Sequence, residues 1–313
     1  MSEYMTPITK LGFFGDNEVF LKREDLLPVA FGGNKVRIAR EFIDDMQARG
    51  GNCMIGYGSS RSNMCRALAI LCDREEIPCH IIFSSDDGEE YDVSWNSLII
   101  DSTHAIIHHC DKLSVAQTVE NVLEETRHAG FDPYYIFGDK YGKNNEVTPV
   151  RAYEKAYSEI LAQQEELGLK FDQVFLPVGT AMTISGLLAG QLRNNVENQR
   201  VIGISIARSA ERVQEIINST LNKVFPVHTE NIDYQIIDKY LNGGYAKYNT
   251  SILKTMRYMM CHKGIATDPV YTGKAFDGML HYLDENDVHG QKVLFILTGG
   301  VPLFFDYAQQ ALH

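Results

Sequence analysis

The chain has 313 residues, 44% hydrophobic and 22% charged, and its 29 basic and 41 acidic residues give a net charge of −12. This composition excludes disordered, collagen-like and low-complexity proteins, and the length fits one large α/β domain or two lobes. The acidic balance argues against a nucleic-acid or anionic-membrane partner, because no general basic field attracts phosphates. Neither a transmembrane run nor a signal peptide is recognisable, so a cytoplasmic protein is expected.

The cysteines and acidic residues do not form a metal-binding pattern. None of the six cysteines belongs to a Cys-x-x-Cys pair, and Cys65 and Cys72, on one predicted helix, are interpreted as buried free thiols. The acidic stretch 86–90 is interpreted as a solvated loop rather than a cation site. No metal site is expected.

Apolar, β-rich segments alternate with amphipathic ones along the chain. The predicted strands are Cys53–Tyr57, His80–Phe83, His104–His108, Tyr134–Phe137, 173–177, 201–206 and Leu294–Leu297, and the predicted helices are 62–75, 92–101, 113–128, 148–166, 182–193 and 209–223. Two more helical stretches precede the last strand. This alternation is typical of a doubly wound, mostly parallel α/β sheet.

A glycine pair precedes a lysine in the segment Gly32-Gly33-Asn34-Lys35, at the start of a helical stretch. A partly desolvated lysine has a lowered pKa, and its amine can form a Schiff base. A surface lysine in the first turn of a helix explains the local string equally well.

Two loops lie between a predicted strand and a predicted helix. In the loop from Gly56 to Asn63, backbone N–H groups and hydroxyls suit a carboxylate, although a plain N-cap at Ser62 or Asn63 is the commoner use of such a string. In the segment Leu176–Thr183, Gly179, two threonine hydroxyls and a helix dipole suit a phosphate, although the segment matches neither a Walker A nor a Gly-x-Gly-x-x-Gly motif.

A third loop, Thr298-Gly299-Gly300, follows the last predicted strand. Because ligands of open α/β sheets bind beyond the carboxyl ends of the strands, the three loops together favour a ligand site.

Five strings, taken together and in order, resemble one family. They are Lys22–Leu26, Gly32–Lys35, Ser62-Asn63, Asp268–Lys274 and Thr298–Gly300. They resemble the 1-aminocyclopropane-1-carboxylate deaminase / D-cysteine desulfhydrase family of pyridoxal-phosphate enzymes, which have the fold of the tryptophan synthase β subunit. The resemblance extends over nearly the whole chain.

The resemblance implies a two-lobed, three-layer αβα protein of pyridoxal-phosphate fold type II with mostly parallel sheets. Residues 1–39 and 148–313 are then a large cofactor-binding domain, and residues 40–147 are a small domain. Family members are commonly dimers, so a homodimer with a small amino-acid substrate is expected.

The resemblance also implies a role for each matched residue. Lys35 is the Schiff-base lysine, Asn63 binds the 3′ oxygen of the cofactor ring, and Ser62 and Tyr271 take part in catalysis. The phosphate is held by Gly179, Thr180, Ala181, Met182 and Thr183, Thr298 lies near the pyridine nitrogen, and the substrate is contacted by Ser59, Arg61, Ser62, Asn63 and Tyr271.

Three positions depart from the family's usual pattern. The phosphate loop lacks two glycines, and Ala181 and Met182 are expected to avoid positive φ, so either a reshaped loop or a less tightly held phosphate is predicted. Thr272 replaces the glutamate of ring-opening deaminases and cannot keep the pyridine nitrogen protonated. Arg61 replaces a common glutamine and either binds a second anionic group on the substrate or points to solvent.

The departure at Thr272 favours β-elimination over cyclopropane opening. We therefore predict a D-cysteine desulfhydrase-like lyase that converts a small amino acid to a 2-oxo acid and ammonia. The alternatives are a 1-aminocyclopropane-1-carboxylate deaminase, an amino-acid racemase, and a non-catalytic protein that binds pyridoxal phosphate or an amino acid.

Overall fold

The computed structural model describes residues 4–29, 31–85, 93–225 and 232–312, and the acidic stretch 86–90 lies outside them. The chain forms two compact units: the large unit comprises Met1–Asn34 with Val150–His313, and the small unit is Lys35–Pro149. Over the described residues, no helix has the length and apolar character needed to cross a membrane.

Strands and helices alternate through most of the described chain. The strands are β1 (Ile8–Phe14), β2 (Asn17–Arg23), β3 (Cys53–Gly58), β4 (Cys79–Ser85), β5 (Ile106–Asp111), β6 (Pro133–Tyr135), β7 (Gln173–Val178), β8 (Arg200–Ser205), β9 (Tyr234–Ile237) and β10 (Lys292–Leu297). The helices are α1 (Asn34–Ala48), α2 (Asn63–Arg74), α3 (Trp95–Asp101), α4 (Val115–His128), α5 (Thr148–Leu167), α6 (Met182–Arg193), α7 (Ala210–Val224), α8 (Thr250–Lys263), α9 (Thr272–Glu285) and α10 (Val301–Leu312).

The large unit contains a six-stranded sheet in the order β1-β2-β10-β7-β8-β9. All neighbours in it are parallel except β1, which pairs antiparallel with β2 at one edge. The central strands β7 and β10 are almost continuously apolar and buried, as expected for parallel strands covered on both faces. The predicted mostly parallel α/β architecture is confirmed.

Helices pack on both faces of this sheet. On one face, Ile202 and Ile204 of β8 join a core cluster that includes Phe276 of α9. On the other face, a side chain at Gly203 would lie 3.0 Å from Ile184 of α6. These two helices begin directly after segments that the sequence predicts to be functional, so their packing fixes where those segments lie.

The small unit contains a four-stranded, fully parallel sheet in the order β5-β4-β3-β6. Helix α2 packs closely on β3: a Cβ atom added at Gly56 of β3 would lie only 3.1 Å from the side chain of Leu68 of α2. Cys65 and Cys72 of α2 are buried and unbridged, which confirms their interpretation as free thiols.

Candidate active site

The loop between β7 and α6 begins at Gly179 and ends at the helix N-cap, Ala181. Ala181 has φ +67° and ψ −3°, and no side chain caps the helix. The expectation that Ala181 avoids positive φ is therefore wrong. The left-handed conformation costs an alanine about 1–2 kcal/mol, and the packing around this buried residue offsets that cost.

The amides at the start of α6 are open to a ligand. In the part of the chain that the structure describes, the N–H groups of residues 180–183 have no protein acceptor. The first N–H groups of a helix need partners from outside the helix, and together with the helix dipole they attract anions. Thr180 and Thr183 add hydroxyls to this loop. The geometry is that of an anion cradle.

Asn34 connects this cradle to the loop after β10. Its N–H donates to Thr298 O at 2.9 Å, and its side-chain amide donates to Thr183 Oγ1 at 3.0 Å. Gly299, with φ +90°, lies so close to Gly33 that a side chain there would overlap the Gly33 backbone. Thr183 and Thr298, which are 115 positions apart in the sequence, are thus brought to one place.

Lys35 follows Asn34 in the first turn of α1. It is half-buried, and burial lowers the pKa of its amine to about 8 from 10.5. A lysine with this pKa is a much better nucleophile at neutral pH than an exposed one. This property is the one expected of a Schiff-base lysine.

Asp268 organises the turn that precedes α9. Its buried carboxylate accepts hydrogen bonds from the amides of Val270, Tyr271 and Thr272 and, at 2.8 Å, from the Thr272 hydroxyl. The Thr272 hydroxyl in turn accepts the Asp268 N–H at 3.0 Å. Burial nevertheless raises the pKa of Asp268 above its usual 3.8, and the hydrogen bonds oppose that rise.

Asp268 also explains a glycine in the loop after β10. A side chain at Gly300 would overlap the Asp268 carboxylate. The turn before α9 and the loop 298–300 are therefore in direct contact. The sequence string around Asp268 indicated a site, but nothing in it indicated this organising role.

Tyr271 lies at the N-cap of α9 and beside the phosphate-loop candidate. A side chain at Gly179 would lie 3.7 Å from its ring. Its hydroxyl is 3.0 Å from that of Tyr245, and burial raises the pKa of Tyr271 well above its usual value of 10. Tyr245 was not predicted, because it lies outside any recognisable motif in the segment between β9 and α8.

The small unit places its candidate residues directly after β3. Ser62 is the N-cap of α2, and its Oγ accepts the Cys65 N–H at 3.2 Å, which confirms the capping interpretation for this residue. Asn63 Oδ1 accepts a hydrogen bond from Asn96 at 3.0 Å. Ser59 is exposed and Arg61 is half-buried.

Apart from Lys35, the predicted residues thus form two groups. The large unit brings together Tyr271, Thr298 and the loop from Gly179 to Thr183, and the small unit collects Ser59, Arg61, Ser62 and Asn63 at one strand end. Over the described ranges, no group of three or more His, Cys, Asp or Glu side chains has an arrangement that could hold a metal ion.

Comparison with known proteins agrees with this geometry. The sequence model of the pyridoxal-phosphate dependent enzymes matches residues 1–299. A Pyrococcus abyssi protein named "Putative 1-aminocyclopropane-1-carboxylate deaminase" is 30% identical over 304 residues, which are 95% of this chain and 88% of that protein.

Solved structures show the same fold. The crystal structure of an ACC (1-aminocyclopropane-1-carboxylate) deaminase homologue matches with a TM-score of 0.81 and 26% identity, over 99% of this chain and 93% of that one. A hydrogen sulfide-producing enzyme from Fusobacterium nucleatum matches in fold, with a TM-score of 0.66 and 19% identity, over 95% of this chain and 96% of that one. The predicted fold type II is confirmed, and the chain belongs to the pyridoxal-phosphate dependent enzymes, in their ACC deaminase-like group.

Proposed function

We propose that this enzyme catalyses β-elimination from a small amino acid and releases a 2-oxo acid and ammonia, as a D-cysteine desulfhydrase does. The observation that carries the proposal is the pairing of Thr272 with Asp268. Thr272 is fully buried, and its hydroxyl both donates to and accepts from Asp268. No charged group stands at this position, where ring-opening deaminases carry glutamate, so protonation of the pyridine nitrogen is not supported there.

The residues of the large unit fit pyridoxal phosphate. The open amides and hydroxyls from Gly179 to Thr183 suit its phosphate. The close contacts of Gly299 with Gly33 and of Gly300 with Asp268 hold the loop that carries Thr298 against the rest of the site. We assign Lys35 to its aldehyde carbon, Asn63 to its 3′ oxygen and Thr298 to its pyridine nitrogen. When bound, the cofactor supplies an electron sink for the pair left at Cα after deprotonation.

The chain's own residues then position the substrate and move protons. The loop from Ser59 to Asn63, including Arg61, lies at the N-terminus of α2 and binds the substrate carboxylate. Lys35, with a pKa near 8, takes the α-proton as a general base. Ser62 assists this transfer, and Tyr271, which is protonated at neutral pH, donates a hydrogen bond to the leaving group.

Water is the only reactant that the proposed β-elimination needs besides the amino acid. The Cα–H bond gives its proton to the base, and the Cβ bond to the leaving thiol, sulfonate or hydroxyl breaks with its electron pair on that group. The enamine product takes up water and hydrolyses to the 2-oxo acid and ammonia.

The test is an assay of 2-oxo acid and ammonia with D-cysteine, L-cysteine, cysteate, D-serine, β-chloroalanine and the cyclopropane amino acid. Pyruvate from one of the β-substituted substrates, and no product from the cyclopropane acid, is the expected result. Lys35→Ala is the control and should lose both turnover and the visible absorbance of the lysine-bound cofactor.

Ring-opening deamination is the second candidate, and the name of the Pyrococcus abyssi relative favours it. Release of 2-oxobutyrate from the cyclopropane acid would replace β-elimination with this activity. Inversion of an amino acid without keto-acid release would indicate a racemase, and bound cofactor without any turnover would indicate a binding protein. Each of these outcomes would overturn the proposal.

A further inference from the structure

Arg208 lies next to the phosphate-loop candidate although it comes from a different strand end. Its Nη1 donates a hydrogen bond to the carbonyl oxygen of Gly179, the first residue of that loop. The approach follows from the sheet, because β7 and β8 are parallel neighbours with Val178 opposite Ser205. The segments that follow the two strands therefore emerge side by side.

The backbone of Arg208 is fixed by a buried serine. Ser205 Oγ donates to Arg208 O at 2.6 Å and accepts the Arg208 N–H at 3.2 Å. Ile206 N–H donates to Val178 O at 3.0 Å, which ties the same segment to the end of β7. The backbone that carries the guanidinium is thus held in place before any ligand binds, so the backbone loses little further conformational entropy on binding.

Arg208 has a positive charge that no carboxylate in the described part of the chain neutralises. Among the described residues, no carboxylate forms an ion pair with Arg208, and its one side-chain hydrogen bond uses one of five N–H donors. Arg208 is half-buried. It lies close enough to Tyr271 for its charge to oppose the rise in the pKa of that phenol. Arg208 thus leaves donors available beside the open amides of α6.

We infer that Arg208 binds the cofactor phosphate, together with the amides of residues 180–183. The inference rests on the proposed cofactor site. Arg208 would have two roles. Its hydrogen bond to the Gly179 carbonyl would hold a loop that lacks two of the usual glycines, and its positive charge would stabilise the dianionic phosphate. Charged hydrogen bonds to phosphate are among the strongest that a side chain makes.

The test compares two forms of the cofactor that differ only in the phosphate. Apo-protein, prepared with hydroxylamine and dialysis, is titrated with pyridoxal phosphate and with pyridoxal, and the bound fraction is followed by absorbance. Arg208→Gln should weaken pyridoxal phosphate binding about 10- to 100-fold, the range for loss of a charged hydrogen bond, and leave pyridoxal binding unchanged. Arg208→Lys, which keeps the charge, should recover part of the loss.

Arg212→Gln is the matched control, because Arg212 is exposed on α7 and paired with Glu215. It should bind both compounds as the wild type does. Equal losses for pyridoxal and pyridoxal phosphate in Arg208→Gln, or no loss for either, would overturn the role of Arg208 while the proposed cofactor site stands. A wild-type protein that binds neither compound would overturn the proposed function itself and the role of Arg208 with it.

Discussion

Tyr245 and Tyr271 are 26 residues apart in the chain, yet their hydroxyl oxygens lie 3.0 Å apart and share a hydrogen bond. Lys274 holds the segment that carries Tyr245. It is fully buried, and its amine donates to Leu241 O at 3.0 Å and Gly244 O at 2.8 Å. Two residues of one motif, Tyr271 and Lys274, therefore determine where Tyr245 lies.

Removal of the Tyr271 hydroxyl is expected to abolish most of the activity. Tyr271→Phe should lower kcat by about 100-fold or more, the scale of a lost acid–base or hydrogen-bonding group in the transition state. Tyr245→Phe should lower it less, because Tyr245 acts through its hydrogen bond to Tyr271. Steady-state kinetics on the best β-substituted substrate measure both, and the visible cofactor absorbance should be unchanged in each variant. A larger loss in Tyr245→Phe than in Tyr271→Phe would contradict this ranking.

Replacing Thr272 by the glutamate of ring-opening deaminases is expected to destabilise the protein and not to create ring-opening activity. In Thr272→Glu a second carboxylate is forced against the buried Asp268, and an unpaired buried charge costs about 3 kcal/mol or more. Urea unfolding of the holoenzyme should show this loss, and 2-oxobutyrate should still not be formed from the cyclopropane acid.

Thr272→Ser is the matched control, since it keeps the hydroxyl that pairs with Asp268. It should stay within about 1 kcal/mol of the wild type, the cost of one deleted methyl group. A Thr272→Glu protein with wild-type stability would show that the Asp268 turn tolerates a second charge, and the stability argument would fail.

The fold was predictable wherever periodicity and turn residues agreed. The helix predicted at 182–193 is Met182–Arg193, and the strand predicted at 173–177 is Gln173–Val178. The hairpin of β1 and β2 was missed. Strand β1 is half-exposed and interrupted by a bulge between Lys10 and Gly12, so its alternation is broken.

The second strand of that hairpin, β2, was missed because it contains a buried charged residue. Lys22 is only 1% exposed in β2, where it pairs with Glu159 of α5. A lysine indicates a surface position in the sequence, and only the tertiary structure supplies its partner. Burial of Lys22 could therefore not be inferred from the residues around it.

The candidate site was predictable loop by loop, but its connections were not. The strings around Lys35 and Gly179 stand out because glycines and hydroxyls precede a helix. The contacts of Asp268 with Gly300, and of Arg208 with Gly179, join distant parts of the sequence. Such partners are determined by strand order, which local patterns do not encode.

The pKa of Lys35 predicts how cofactor attachment depends on pH. Only the neutral amine attacks an aldehyde, and burial lowers the pKa of Lys35 to about 8. The attachment rate of the apo-protein should therefore rise about tenfold per pH unit below 8 and level off above it. The reference is Nα-acetyl-lysine, whose free ε-amine has its ordinary pKa. Its rate of reaction with the cofactor should continue to rise until about pH 10. The rates are followed by the visible absorbance after mixing, and a profile that parallels the reference would show an exposed, unperturbed Lys35.

Replacing an alanine by glycine should have opposite effects on the free energy of unfolding at the N-cap of α6, Ala181, and within the helix, at Ala189. Ala181 has φ +67°, where glycine has no Cβ penalty, so Ala181→Gly should raise the free energy of unfolding by about 1 kcal/mol. Ala189 is buried within α6 in ordinary helical conformation, and Ala189→Gly should lower that free energy by about 1 kcal/mol. Urea unfolding of the apo-proteins measures both changes. If both substitutions destabilise the protein equally, the left-handed conformation of Ala181 is not costly, and alanine is a relaxed residue at position 181.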